Sequence, residues 1–144
     1  MQHLAELLQH LVFPFELIGD LVHGLARLHS AGYLHRDIRS PNILYDPVAK
    51  QYILIDFEHG GKVGNGEEVQ IYGDDVPLAA WDGGTLDDGL YTAMSEMYQL
   101  GKLLREKFGH LILSDQAKDF VKKLKGKKMT AEEALEHEWI CTVL

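Results

Sequence analysis

The chain has 144 residues, 46% of them hydrophobic and 25% charged, the balance of one soluble globular domain with its own core. A formal net charge of −8 excludes nucleic acid as a general partner, because phosphate backbones need a basic surface. A lone cysteine, Cys141, excludes an internal disulfide. With no apolar run near the roughly 20 residues of a membrane span and no secretory leader, the expectation is a cytoplasmic protein without a membrane partner.

Leu4, Leu7, Leu8 and Leu11 recur at helical spacing, predicting a short amphipathic helix over the first dozen residues, broken at Phe13-Pro14. A second helix is predicted over 15–30, with Ile18, Leu21, Val22, Leu25 and Leu28 as its apolar stripe and Gly32 at its C-terminal cap. Residues 33–40 read as a loop. Residues 43–45 and 51–55, joined by the Asp46-Pro47 turn, read as a β-hairpin. Glycine and acids dominate from His59 to Gly89, predicting a long functional or mobile loop.

A third helix over 91–108 carries Met94, Met97, Leu100, Leu103, Leu104 and Phe108 around much of its circumference, so it should be largely buried. Ser114 caps a fourth helix, with Ala117, Phe120, Val121 and Leu124 facing inward and Gly126 ending it. Thr130 and Glu133 form a capping box that opens a last helix at Ala131, running through Leu135 and Trp139. The fold class is therefore mainly α with a small β-hairpin, in one domain over residues 1–144.

Eight histidines are scattered without ligand spacing, which argues against a zinc site. Charge is uneven. No Lys or Arg lies between Lys62 and Lys102, while Lys118, Lys122, Lys123, Lys125, Lys127 and Lys128 cluster further on. Solvated loop and helix faces account for this pattern; the functional alternative is an acidic groove edge that attracts basic peptides.

The chemistry concentrates in His35-Arg36-Asp37-Ile38-Arg39-Ser40-Pro41-Asn42 and in Ile55-Asp56-Phe57-Glu58. Phosphoryl transfer needs a carboxylate that orients and accepts the proton of an attacking hydroxyl, oxygen ligands for Mg²⁺, and a cation near the transferred phosphate. Asp37, Asn42, Asp56 and Arg39 are such groups, and a hairpin between Asn42 and Asp56 would return the chain and set the two metal ligands side by side.

This ordered set resembles the catalytic loop and metal-binding motif of eukaryotic protein kinases, H-R-D-L-x-x-x-N and D-F-G. Residues 24–34 resemble the helix leading into that loop, 95–104 the buried central helix of the C-terminal lobe, and 117–140 its closing helices. The resemblance implies a protein-kinase-like C-lobe, an α+β kinase fold lacking its N-lobe, with residues 59–90 as an activation-segment-like loop. It implies Asp37 as catalytic base, Arg39 in place of a phosphate-contacting lysine, and Asn42 and Asp56 as ligands of Mg²⁺ carrying ATP. It implies Arg36 as a partner for a phosphate on the long loop, where Thr85 is the only Ser or Thr between Phe57 and Tyr91. His35 and Phe57 would pack behind the site. The implied partners are a protein or peptide substrate, or a partner kinase or N-lobe.

Several positions depart from that family. No glycine-rich loop or strand lysine precedes the C-lobe, so the isolated lobe is expected to bind nucleotide poorly. Glu58 replaces the glycine of D-F-G, no A-P-E precedes Tyr91, and Lys128 stands where an arginine normally pairs with that glutamate. The short stretch between Phe108 and Ser114 leaves no room for a helix usual in substrate docking. A non-catalytic, pseudokinase-type interaction module is therefore an alternative. A relative of the aminoglycoside and choline kinases is another, although those carry His-Gly-Asp where this chain has His-Arg-Asp.

Overall fold

Period-3.6 spacing of Leu17, Ile18, Leu21, Val22 and Leu25 folds residues Phe15–Ser30 into helix α1, and all five side chains are buried. The computed structural model describes residues 2–4, 15–62 and 81–143. Gly32 ends α1 at φ +82°, the left-handed conformation for which glycine was expected there.

Gln2–His3 is not helical. It forms strand β1, antiparallel to the edge of the hairpin with Gln2 opposite Tyr45 and His3 opposite Leu44. The unpaired backbone groups of a hairpin edge recruit extended chain lying beside them, which accounts for these two residues, while Leu4, the first leucine of the stripe, is helical. Leu4 is nevertheless fully buried. The remainder of that predicted helix, through residue 12, lies outside the described residues, as does 63–80 of the long loop.

Tyr33–Leu34 forms strand β2, the hairpin is β3 (Ile43–Asp46) and β4 (Gln51–Leu54), and Gly61–Lys62 forms β5. The sheets run β1-β3-β4 and β2-β5, every pair antiparallel. The Asp46 carboxylate accepts from the Val48 and Ala49 amides and closes the hairpin turn.

Helix α2 (Ala93–Phe108) opens on a capping box between Thr92 and Ser95. Helix α3 (Asp115–Lys125) is capped by Ser114 and ends at Gly126, as predicted. The last predicted helix is two: α4 (Ala131–Leu135), with the Thr130–Glu133 capping box, and α5 (Glu138–Val143). His137 causes the break. Its Nδ1 accepts from the Trp139 amide at 3.1 Å, which begins a new helix, while its Nε2 reaches Asp119 on α3 at 2.8 Å. Among the described residues no helix is long and apolar enough to cross a membrane.

The core lies where α1 meets α4 and β4, and where α2 meets α3. Leu100, Leu104, Phe108, Phe120 and Leu124 are essentially inaccessible, each burial contributing about 1.5–3 kcal/mol. Gly101 sets the α2–α3 approach, since a Cβ there would lie 2.9 Å from Leu124 Cβ and 3.1 Å from the Lys125 backbone nitrogen. Gly101→Ala is expected to destabilise by about 1–3 kcal/mol through overpacking, read as a lower urea midpoint with unchanged slope. A rise in stability would contradict that close approach.

Candidate functional site

The loop between β2 and β3 is built on buried hydrogen bonds. His35 is inaccessible to solvent. Its Nδ1 accepts from the Asp37 amide at 3.1 Å and its Nε2 donates to the Ile55 carbonyl at 2.7 Å, the pair of bonds that fixes the tautomer. Its ring meets Phe57 edge-on at 4.7 Å. The Ile55 amide in turn donates to the Asn42 carbonyl at 2.8 Å. Ile55 is thus clamped between His35 and Asn42, and Asp56 follows it at once. The hairpin does return the chain to the loop.

Asp37 is almost fully buried. Asn42 Nδ2 donates to its Oδ2 at 2.8 Å and to its backbone carbonyl at 2.9 Å, and Arg39 Nε donates to Oδ2 at 3.2 Å. The other oxygen, Oδ1, lies 3.1 Å from Arg39 Nε, yet it is buried and without a hydrogen bond. A buried carboxylate oxygen without a hydrogen bond is costly, so this one is complemented by one further donor, a hydroxyl or a water.

Asn42 commits its amide nitrogen to Asp37, which leaves its side-chain oxygen as a ligand. Asp56 is exposed, and Oδ1 has only a long 3.4 Å contact from the Glu58 amide. One carboxylate and one amide oxygen are hard donors of the kind Mg²⁺ takes when phosphates and water complete its shell. Among the described residues no group of three or more His, Cys, Asp or Glu could hold a metal by itself. The donor set fits Mg²⁺ brought with a phosphate ligand, and does not fit a dedicated protein cage.

Two non-glycine residues here adopt left-handed backbone, Arg36 at φ +73° and Asp56 at φ +62°. Such conformations cost about 1–2 kcal/mol each and persist where surrounding contacts over-determine them. Glu58 is not among the positive-φ residues, so its difference from glycine strains nothing in this conformation.

The residue that holds the loop was missed in the sequence. Glu96, on the first turn of α2, is fully buried. It accepts from the amides of His35 (2.9 and 3.0 Å) and Arg36 (2.7 Å), from Tyr91 Oη (3.1 Å), and pairs with His29 Nε2 at 2.9 Å. Burial, followed by the charge of Glu96 and the hydrogen bond to it, pushes the Tyr91 phenol well above its usual value. The signal was available: Glu96 lies four and seven residues before Leu100 and Leu103, an acid on the apolar stripe itself.

Residues 81–92 are strapped over this loop. Trp81 Nε1 donates to the Arg36 carbonyl at 2.8 Å and its ring stacks on Tyr91 at 5.1 Å. Arg36 packs its guanidinium over Gly61, where a Cβ would come within 2.9 Å, and its Nε is buried without a hydrogen bond. Thr85 is fully buried, and its hydroxyl closes a turn with the Asp82 amide (2.9 Å) and carboxylate (3.3 Å). In this conformation Thr85 serves that turn and is not offered to an outside enzyme.

The segment is anchored below by Lys127, at 2.5 Å from Asp87 and 3.3 Å from the Thr85 carbonyl, and by Lys102, at 3.3 Å from Asp82. An ion pair therefore does tie this segment to the closing helices, through Lys127 rather than Lys128. Burial raises the Asp82 carboxyl, but the Gly84 amide, the Tyr98 hydroxyl and Lys102 outweigh it and hold the group below its ordinary value. Asp87 is lowered likewise, with Lys127 and Thr92 outweighing burial.

A lowered folded-state pKa stabilises above the unfolded-state pKa, and that contribution is lost as pH falls through the folded value. Acidification below about pH 4 should therefore loosen the strap, and the Asp82→Asn, Asp87→Asn double variant should show a flatter fall in melting temperature. Asp20 works the other way: burial raises its carboxyl, so acid relieves it. A double variant with an unchanged pH profile would count against the two anchors.

No family model matches the chain. A segment of 42 residues, 29% of the chain, is 40% identical to the probable serine/threonine-protein kinase fnkB of Dictyostelium discoideum. That segment spans only 8% of the relative's length. The similarity supports a relationship to kinases, and nothing finer.

Proposed function

We propose that these residues form the phosphoryl-transfer half of a Mg·ATP-dependent protein kinase, acting on a protein or peptide hydroxyl. Asp37 orients the acceptor hydroxyl and takes its proton through Oδ1. Arg39, beside it, balances charge on the transferred phosphoryl group. Asn42 and Asp56 hold Mg²⁺ together with the ATP phosphates. The glycine-rich loop and lysine that clamp ATP come from chain outside these residues or from another polypeptide, so the 144 residues alone transfer phosphate poorly.

The observation that carries this reading is the buried Asp37 oxygen without a hydrogen bond, held by Asn42 and Arg39 in a loop fixed by Glu96. Transfer of labelled γ-phosphate from ATP to a panel of proteins, peptides and hydroxylated metabolites tests it. Weak transfer to proteins, above a protein-free blank, that needs Mg²⁺ and is lost in Asp56→Ala is the expected result. Transfer only to metabolites would point to small-molecule kinases.

A second reading, a non-catalytic interaction module, is favoured by one feature. Phe57, half exposed, borders an apolar cleft of about 180 Å³ between α1 and β4, a surface that another protein could cover. A cellular effect that survives Asp56→Ala would select it.

A further inference from the structure

The end of α2 and one face of α3 enclose a groove of roughly 690 Å³, remote in sequence from the catalytic loop. Its floor is apolar, with Ile112 and Val121 each under a tenth exposed. Its walls carry Arg105 from α2 and Lys118, Lys122 and Lys125 from α3. No acidic residue lines it, and none of these four cations pairs with a carboxylate among the described residues. In a chain of net charge −8, such a concentration of unmatched positive charge is out of keeping with the whole.

Helix dipoles explain part of it. Arg105, Lys122 and Lys125 stand in last turns, where cations are favourable. Lys118 stands near the start of α3, where a cation opposes the dipole, and Lys118 and Lys122 are like charges at i,i+4, which disfavours the helix. Lys123, on another face, has its Asp119 partner at 3.2 Å. Cations that keep to one concavity against local electrostatics point to something that fills it.

We propose that this groove docks an acidic peptide segment of a partner protein, bearing a large apolar residue among its carboxylates. Charge complementarity selects the acids, and the Ile112–Val121 floor selects the apolar anchor over a bare polyanion. The rise along α3 from Lys118 to Lys122 is about 6 Å, close to the spacing of alternate residues in an extended chain, so two carboxylates two apart reach both lysines. Docking here is independent of the phosphoryl-transfer reading and would hold for a catalyst or a scaffold.

Fluorescence anisotropy of the full chain with a labelled peptide of alternating glutamate and leucine tests it. Saturable binding is expected, weakened at least about tenfold, some 1.4 kcal/mol, by the Lys118→Glu, Lys122→Glu double variant. Lys107→Glu, Lys128→Glu, outside the groove, should change it less than about twofold. Both pairs are exposed, so folding should survive, and an unchanged thermal unfolding curve of the Lys118→Glu, Lys122→Glu variant is the control on its integrity. The proposal is overturned if a peptide with glycine for leucine binds equally well, or if inorganic phosphate, duplex RNA or phosphatidylserine vesicles compete as strongly. Clearly tighter peptide binding by a variant lacking residues 64–76 would overturn it too, assigning the groove to the chain's own acidic stretch.

Discussion

Glu96→Ala is expected to lower global stability by about 3–5 kcal/mol, a large part of the 5–15 kcal/mol typical of a domain. The carboxylate is fully buried and serves four donors: the His35 and Arg36 amides, His29 Nε2 and the Tyr91 hydroxyl. Truncation leaves the buried donors unsatisfied, at about 1–3 kcal/mol for each, while His29, 13% exposed, can turn to water. Tyr91 still reaches Gln99, so it loses least. Glu96→Gln retains the volume but turns an NH₂ toward amide donors, and should fall between the two. Urea unfolding gives the magnitude. Hydrogen exchange locates it, with His35 and Arg36 losing protection first. A loss under about 1 kcal/mol with both amides still protected would show that the loop does not hang on Glu96.

Most of the architecture was legible because local signals and tertiary packing agree. The stripe of α1, the caps at Ser114 and Thr130, Gly32 and the hairpin each have one dominant cause acting within a few residues. The misread elements depend on partners distant in sequence. Gln2–His3 is extended because β3 offers an edge, β2 because Gly61–Lys62 returns to it, and the last helix divides because His137 is held by Asp119. No periodicity encodes such contacts.

The site divides in the same way. Asp37, Asn42 and Arg39 sit within six residues of one another, and the structure joins them directly. Asp56 follows Ile55 directly, and the two backbone bonds of Ile55 to Asn42 and His35 could not be read from spacing. Glu96, Tyr91 and Trp81 were passed over because an acid opening a helix, or an aromatic near a cap, has ordinary explanations. Burial reverses those explanations. A carboxylate at 0% exposure with backbone donors on both oxygens is a foundation, not a dipole partner.

On the phosphoryl-transfer reading, Asp37→Asn should reduce transfer by about 10²–10⁴-fold, the usual contribution of a positioned general base, while leaving the fold intact. The asparagine oxygen can take the place of Oδ2 in accepting from Asn42 Nδ2, so the 2.8 Å bond has a substitute. Its amide nitrogen then occupies the position of Oδ1, the oxygen that has no hydrogen bond to lose. The ion pair to Arg39 is the main casualty, and Arg39, 42% exposed, can turn its guanidinium to water. Asp56→Ala provides the contrast, because an exposed carboxylate at a left-handed position should affect Mg²⁺-dependent nucleotide affinity more than stability. The informative comparison is therefore a split. Asp37→Asn should spare Mg·ATP binding and remove turnover, whereas Asp56→Ala should weaken both. Equal loss of nucleotide binding in the two variants would mean that Asp37 acts through the metal rather than on the acceptor, and turnover unchanged in Asp37→Asn would dismiss it as the base.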